Sequence, residues 1–84
     1  MKVRDTLTAA EISVTEAAKL INVHRVTVHG WIRGIEPRSP MVKGVAEKIL
    51  SLIRKGTELG RFPLKDALQR ERLHIIRKIL RELA

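Results

Sequence analysis

Glycine and proline in this chain fall between periodic apolar segments rather than within most of them, which confines it to short helices joined by turns. Ser13 with Glu16 three residues on is a capping-box pattern, and it opens a helix over Val14–Ile21. Asn22 interrupts that helix, and a second short one is predicted over residues 25–33, stopped by Gly34. Ile35, Glu36, Pro37 and Arg38 read as a turn, after which Ser39 caps a helix whose first residue is Pro40. That helix is predicted over residues 40–55. Val42, Val45, Ala46, Ile49, Leu50, Leu52 and Ile53 share one face of it, and Lys43, Glu47, Lys48, Ser51, Arg54 and Lys55 share the other. Basic residues in the last turn and Gly56 just beyond mark its expected end. A loop over residues 57–62 leads to Pro63 and a final helix of roughly twenty residues, 64–83. Residues 1–12 support an N-terminal arm or a short helix. No sustained period-two alternation occurs, so the expectation is a single all-α domain, a small bundle of four to five helices with a long C-terminal one.

Composition narrows what such a bundle does. The chain has 84 residues, 44% hydrophobic and 31% charged, with no cysteine. Disulfides, zinc ribbons and thiol chemistry are therefore excluded, and three His without a compact ligand cluster argue against a metal site. Apolar runs of only a few residues exclude a membrane span, and the first residues lack the pattern of a secretory signal, so a cytoplasmic setting is expected. No Gly-rich phosphate loop, acidic cluster or Ser/His/Asp set is evident; a non-enzyme without cofactors is expected. Lys and Arg number 17 against 9 Asp and Glu, a net charge of +8, which points to polyanionic partners. The excess is uneven. Residues 1–37 carry five basic and four acidic groups, whereas residues 38–84 carry twelve and five.

The informative stretch is residues 14–33, helix, tight turn, helix. Ala17 and Ala18 keep the first helix slim at the crossing, while Ile21, Val23, Val28, Trp31 and Ile32 supply the apolar wedge. Trp31 shares a face with Val28 and is expected to be a core anchor. Asn22 stands where the chain must reverse with positive φ, which Gly tolerates best and Asn next best. With the turn residue four positions after Ala18, the next apolar residue five after it and further core positions at ten and thirteen, the segment resembles the DNA-binding helix-turn-helix. The resemblance is to small bacterial and phage regulators of the Cro and lambda-repressor type and to the excisionase and MerR-type group, and it covers about twenty residues. The resemblance implies that the second helix enters the major groove of double-stranded DNA. Its outward residues His24, Arg25, Val26, His29, Gly30 and Arg33 would then read base edges, with Arg25 suited to guanine and Val26 to a thymine methyl. Lys19, Thr27, Arg38 and Lys43 are the expected phosphate contacts. Two positions depart from the family pattern: Gly30 replaces a polar reader, and His24 a Ser or Thr cap.

In the predicted last helix, Leu64, Leu68, Leu73, Ile75, Ile76, Ile79, Leu80 and Leu83 make a face wider than one small helix pair can bury. Leu73, Ile76, Leu80 and Leu83 alternate at +3, +4, +3, as a pairing seam would, and are the expected homodimer interface. The stretch also faintly resembles the dimerising helix of Fis-type DNA-binding domains. Opposite that face, Arg70, His74, Arg77 and Arg81 align, and Arg70, Arg77 and Arg81 are candidate backbone contacts. Together these features predict a dimeric, sequence-specific transcription regulator on a palindromic or pseudo-palindromic operator. Two alternatives stand beside it: an excisionase-like factor that bends DNA, and an antitoxin-like or adaptor module that binds a protein through its C-terminal helix.

Overall fold

Capping chemistry and apolar spacing produce five helices and no strand in the computed structural model, which describes residues 1–84. They are α1 (Val3–Ala10), α2 (Val14–Ile21), α3 (Arg25–Ile32), α4 (Pro40–Glu58) and α5 (Arg72–Leu83), with a single 3-10 turn at Gln69–Glu71. The chain is an all-α bundle.

The first twelve residues adopt the short-helix alternative rather than an arm. Val3, Leu7 and Ala10 recur at helical spacing and are buried, and this face packs on α4. Thr6 is buried beside them, its hydroxyl donating to the Lys2 carbonyl at 2.7 Å. The helix stops at Glu11, in the left-handed region with φ 52°, where the N–H groups of Glu11 and Ile12 return to Thr8 and Leu7 carbonyls.

α4 is the longest element and the centre of the bundle. Ser39 caps it, its hydroxyl accepting from the Val42 N–H, and Pro40 opens it. Its Ala46, Leu50 and Ile53 join Val28 of α3 and Ile76, Ile79 and Leu80 of α5 in one cluster of buried hydrophobics that also takes in Leu7, Ile21 and Trp31. α4 packs against α1, α2 and α5, while α3 is held by α2 and α1.

The structure corrects the sequence expectation at two places on the C-terminal side. Gly56 does not end α4; it lies buried within it, and the helix runs on to Glu58. A Cβ on Gly56 would stand 2.6 Å from a ring carbon of Phe62, so the glycine is there to admit that ring. The turn that brings Phe62 back comes later, at Leu59 and Gly60 (φ 78°), with the Arg61 N–H bonded to the Gly56 carbonyl. The last helix, expected from residue 64, starts only at Arg72. Asp66 is left-handed (φ 56°) and Leu68 extended (ψ 141°), so neither continues a helix from Pro63.

The shorter α5 changes what its apolar residues do. Leu64 and Leu68 lie off the helix, and Arg70 sits in the 3-10 turn rather than in line with Arg77 and Arg81. Ile76 and Leu80 are 0% and 5% exposed, inside the chain's own core, and Leu73 and Leu83 are half-buried. The seam Leu73, Ile76, Leu80, Leu83 is therefore mostly spent on α4 and α2 and is not an open dimer face. No helix is long and apolar enough to cross a membrane.

Candidate nucleic-acid interface

The candidate interface starts from the capping box before α2. Ser13 Oγ accepts from the Glu16 N–H at 3.0 Å, and Glu16 Oε1 accepts from the Ser13 N–H at 2.9 Å, so two amides at the helix start are satisfied reciprocally. Glu16 is itself buried and receives Arg72 from the first turn of α5. Arg72 Nε donates to Glu16 Oε2 at 2.9 Å, and Nη2 to Oε1 at 3.3 Å and to the Glu11 carbonyl at 2.7 Å. Burial pushes the Glu16 carboxyl up, but the hydrogen bonds from Arg72 and the Ser13 amide, with the charge of Arg72, outweigh it and hold the group below its ordinary value. One carboxylate thus fixes the entry to α2 and ties α5 to it.

At its other end α2 stops at Asn22, left-handed at φ 67° and ψ 50°, with the Asn22 and Val23 N–H groups both returning to the Ala18 carbonyl. Residues 22–24 then lead directly into α3. His24 is extended, and its carbonyl accepts from the Thr27 N–H at 3.0 Å, but its side chain caps nothing. The expected crossing is formed: Ala17 and Ala18 are buried, and α2 packs against α3.

Inward from α3 point Val28, fully buried, and Trp31, 5% exposed, which is the core anchor the spacing predicted. Outward lie Arg25, His29 and Arg33, four residues apart and so in one row, with Val26 beside them at 71% exposed. His24 and Thr27 are also exposed. Five of the six expected base readers therefore reach solvent.

Gly30 does not. It is buried, because Ile35 from the α3–α4 loop lies across it, with the Ile35 N–H bonded to the Gly30 carbonyl at 2.9 Å and Cδ1 3.6 Å from where a glycine Cβ would stand. The surface position assigned to Gly30 belongs to Ile35. Sequence reasoning missed this residue, placing it in a turn. The only available signal was an apolar side chain between Gly34 and Glu36, where a solvated turn would carry a polar one.

Among the expected phosphate contacts, Lys19, Thr27, Arg38 and Lys43 are all exposed. Arg38 lines the same shallow groove as Val26, Thr27, Arg33 and Ile35. Lys43 Nζ is 3.9 Å from Glu36, which also lies 3.8 Å from the Met1 ammonium, so part of its charge is neutralised locally. Arg77 and Arg81 flank a different groove, floored by Leu20, Ile49, Leu52 and Leu80. No three His, Cys, Asp or Glu side chains come together as a metal-ligand group. No protein-family model, curated protein or solved structure matches the chain.

Proposed function

We propose that this chain binds double-stranded DNA by sequence through a helix-turn-helix formed by α2 and α3, and regulates transcription as a homodimer. The observation that carries this is the exposed set Arg25, Val26 and His29 on α3, with Arg33 just past its end, on a helix held from behind by Val28 and Trp31. A helix of eight residues is about 12 Å long, comparable with the roughly 12 Å width of the major groove. It carries no acidic side chain, and the net charge of +8 suits a phosphate surface. In this arrangement Arg25 bonds guanine, His29 a neighbouring base edge and Val26 a thymine methyl, while Lys19, Thr27 and Arg38 hold the backbone. The role is binding, not catalysis.

Two half-sites one helical turn apart, about 34 Å, require two copies of α3. An apolar surface open to a second copy lies on α4. Met41 and Val45, one turn apart, are 79% and 43% exposed beside half-buried Ile49 and Leu52. Only residues 33–39 separate this helix from α3, so a two-fold contact here would keep the two reading helices close.

Selection of bound duplexes from a random pool tests the function. A recovered consensus with two related half-sites is expected, bound at least 1,000-fold more tightly than random duplex, on the order of typical specific recognition. Failure to enrich any sequence contradicts sequence reading. Sedimentation should show a dimer that Met41→Lys with Val45→Lys converts to monomer, and an unaltered dimer in that variant contradicts this contact.

A further inference from the structure

Apolar side chains grouped on one exposed surface, unlike those scattered singly, mark a place where a partner docks. Val26 and Ile35 are such a pair, 71% and 57% exposed, and both line one shallow groove. Ile35 is not simply a loop residue swinging free. Its N–H is bonded to the Gly30 carbonyl, and its Cβ and Cδ1 stand 3.8 and 3.6 Å from the place a Gly30 Cβ would take. Gly30 lies one turn after Val26, and Ile35 rests across it close enough to meet a Cβ there at ordinary contact distance.

The surroundings of the pair are cationic. Arg33 and Arg38 line the same groove, and its one acidic residue, Glu36, faces Lys43 and the Met1 ammonium. An apolar patch framed by guanidinium groups matches one feature of duplex DNA, where pyrimidine C5 methyls lie in the major groove between two lines of phosphate. Resting on the DNA-binding reading above, we propose that Ile35 is a specificity-determining residue that, with Val26, forms a receptor for C5-methyl groups. Thymine and 5-methylcytosine share this chemistry. Ile35 thereby extends reading beyond α3, to a base pair next to those met by Arg25 and His29.

The test uses the duplex recovered from the random pool. Each thymine of a half-site is replaced in turn by deoxyuridine, which removes only the methyl, and each cytosine by 5-methylcytosine, which adds one. Affinities are measured for the wild-type chain and for Ile35→Ala and Val26→Ala, both at exposed positions, with folding checked by circular dichroism. At one or two positions deoxyuridine should weaken wild-type binding about four-fold, the value of one buried methyl, and Ile35→Ala should abolish most of that difference. A gain with 5-methylcytosine at one cytosine, lost in Ile35→Ala, with no thymine sensitive to deoxyuridine, would identify cytosine methylation as the methyl source. Binding insensitive to both changes, or equally sensitive in Ile35→Ala, overturns the proposal while leaving DNA binding intact. Failure to recover any preferred duplex overturns the DNA-binding reading and this one with it.

Discussion

Glu16 closes the capping box of α2 and also receives Arg72, and the pairing with Arg72 needs its carboxylate charged. Its pKa lies below the ordinary value in the folded chain, so the stabilisation is present above the unfolded pKa and is lost as pH falls through the folded one. Melting curves should therefore show wild type losing more stability between about pH 5 and pH 3 than Glu16→Gln does. At neutral pH the same substitution should cost about 2–3 kcal/mol, since it leaves Arg72 without its charged partner. Parallel pH profiles for the two proteins would contradict this role. The capping half of the arrangement was legible in the sequence, because Ser13 and Glu16 are three residues apart. Arg72 was not, since 56 positions separate it from Glu16 and only the tertiary fold brings them together.

The helical glycines make a second contrast between single residues. A Cβ on Gly30 meets Ile35 at an ordinary contact distance of 3.6 Å, whereas one on Gly56 meets Phe62 at 2.6 Å and Leu83 at 3.2 Å. Gly30→Ala should raise stability by about 0.5–1 kcal/mol through reduced backbone freedom. Gly56→Ala should lower it by about 1–3 kcal/mol through overpacking against an aromatic ring that cannot move aside cheaply. Chemical denaturation checks both: a gain for Gly56→Ala would refute the packing described there, and a loss for Gly30→Ala the room described at Gly30. Capping signals place Gly56 beyond the end of α4, and the family resemblance places Gly30 on the open face of α3. Both errors have one cause, that a glycine covered by a side chain from outside its helix looks in sequence like one that ends a helix or faces solvent.

At the scale of whole elements, α2 and α3 were read closely because their boundaries are set locally, by the Ser13 cap, the left-handed Asn22 and Gly34. The start of α5 was not. Residues 64–71 carry an apolar helical period, yet Asp66 and Leu68 break the helix, and α5 begins where Arg72 reaches Glu16 and the Glu11 carbonyl. The consequence is functional as well as structural, because the proposed pairing seam becomes core. Ile76→Ala should cost about 2–5 kcal/mol, as expected for a fully buried side chain. That loss should not depend on protein concentration. A loss confined to the dilute protein would instead return Ile76 to a subunit interface.

Across the whole molecule, the charge of +8 looks at first like a uniform attraction to polyanions, but the fold separates its parts. Arg33 and Arg38 border the groove beside α3, whereas Arg77 and Arg81 stand on α5, which packs against α4 and α2. Salt titrations of DNA binding should show the slope falling by about two for Arg38→Gln, one phosphate contact in each half-site. It should be unchanged in Arg77→Gln with Arg81→Gln, and a fall there would place α5 at the phosphate backbone. In the proposed arrangement the nearly neutral N-terminal half would read bases, with the near edge of the basic half holding the backbone.

The most direct test of that division compares Arg25→Ala with His29→Ala, made together, against wild type on the recovered site and on a random duplex at one salt concentration. The double variant should lose about 1,000-fold on the site, roughly 1 kcal/mol for each of the four base contacts in two half-sites, and far less on random DNA. Equal losses on the two duplexes would contradict the assignment of α3 as the reading helix.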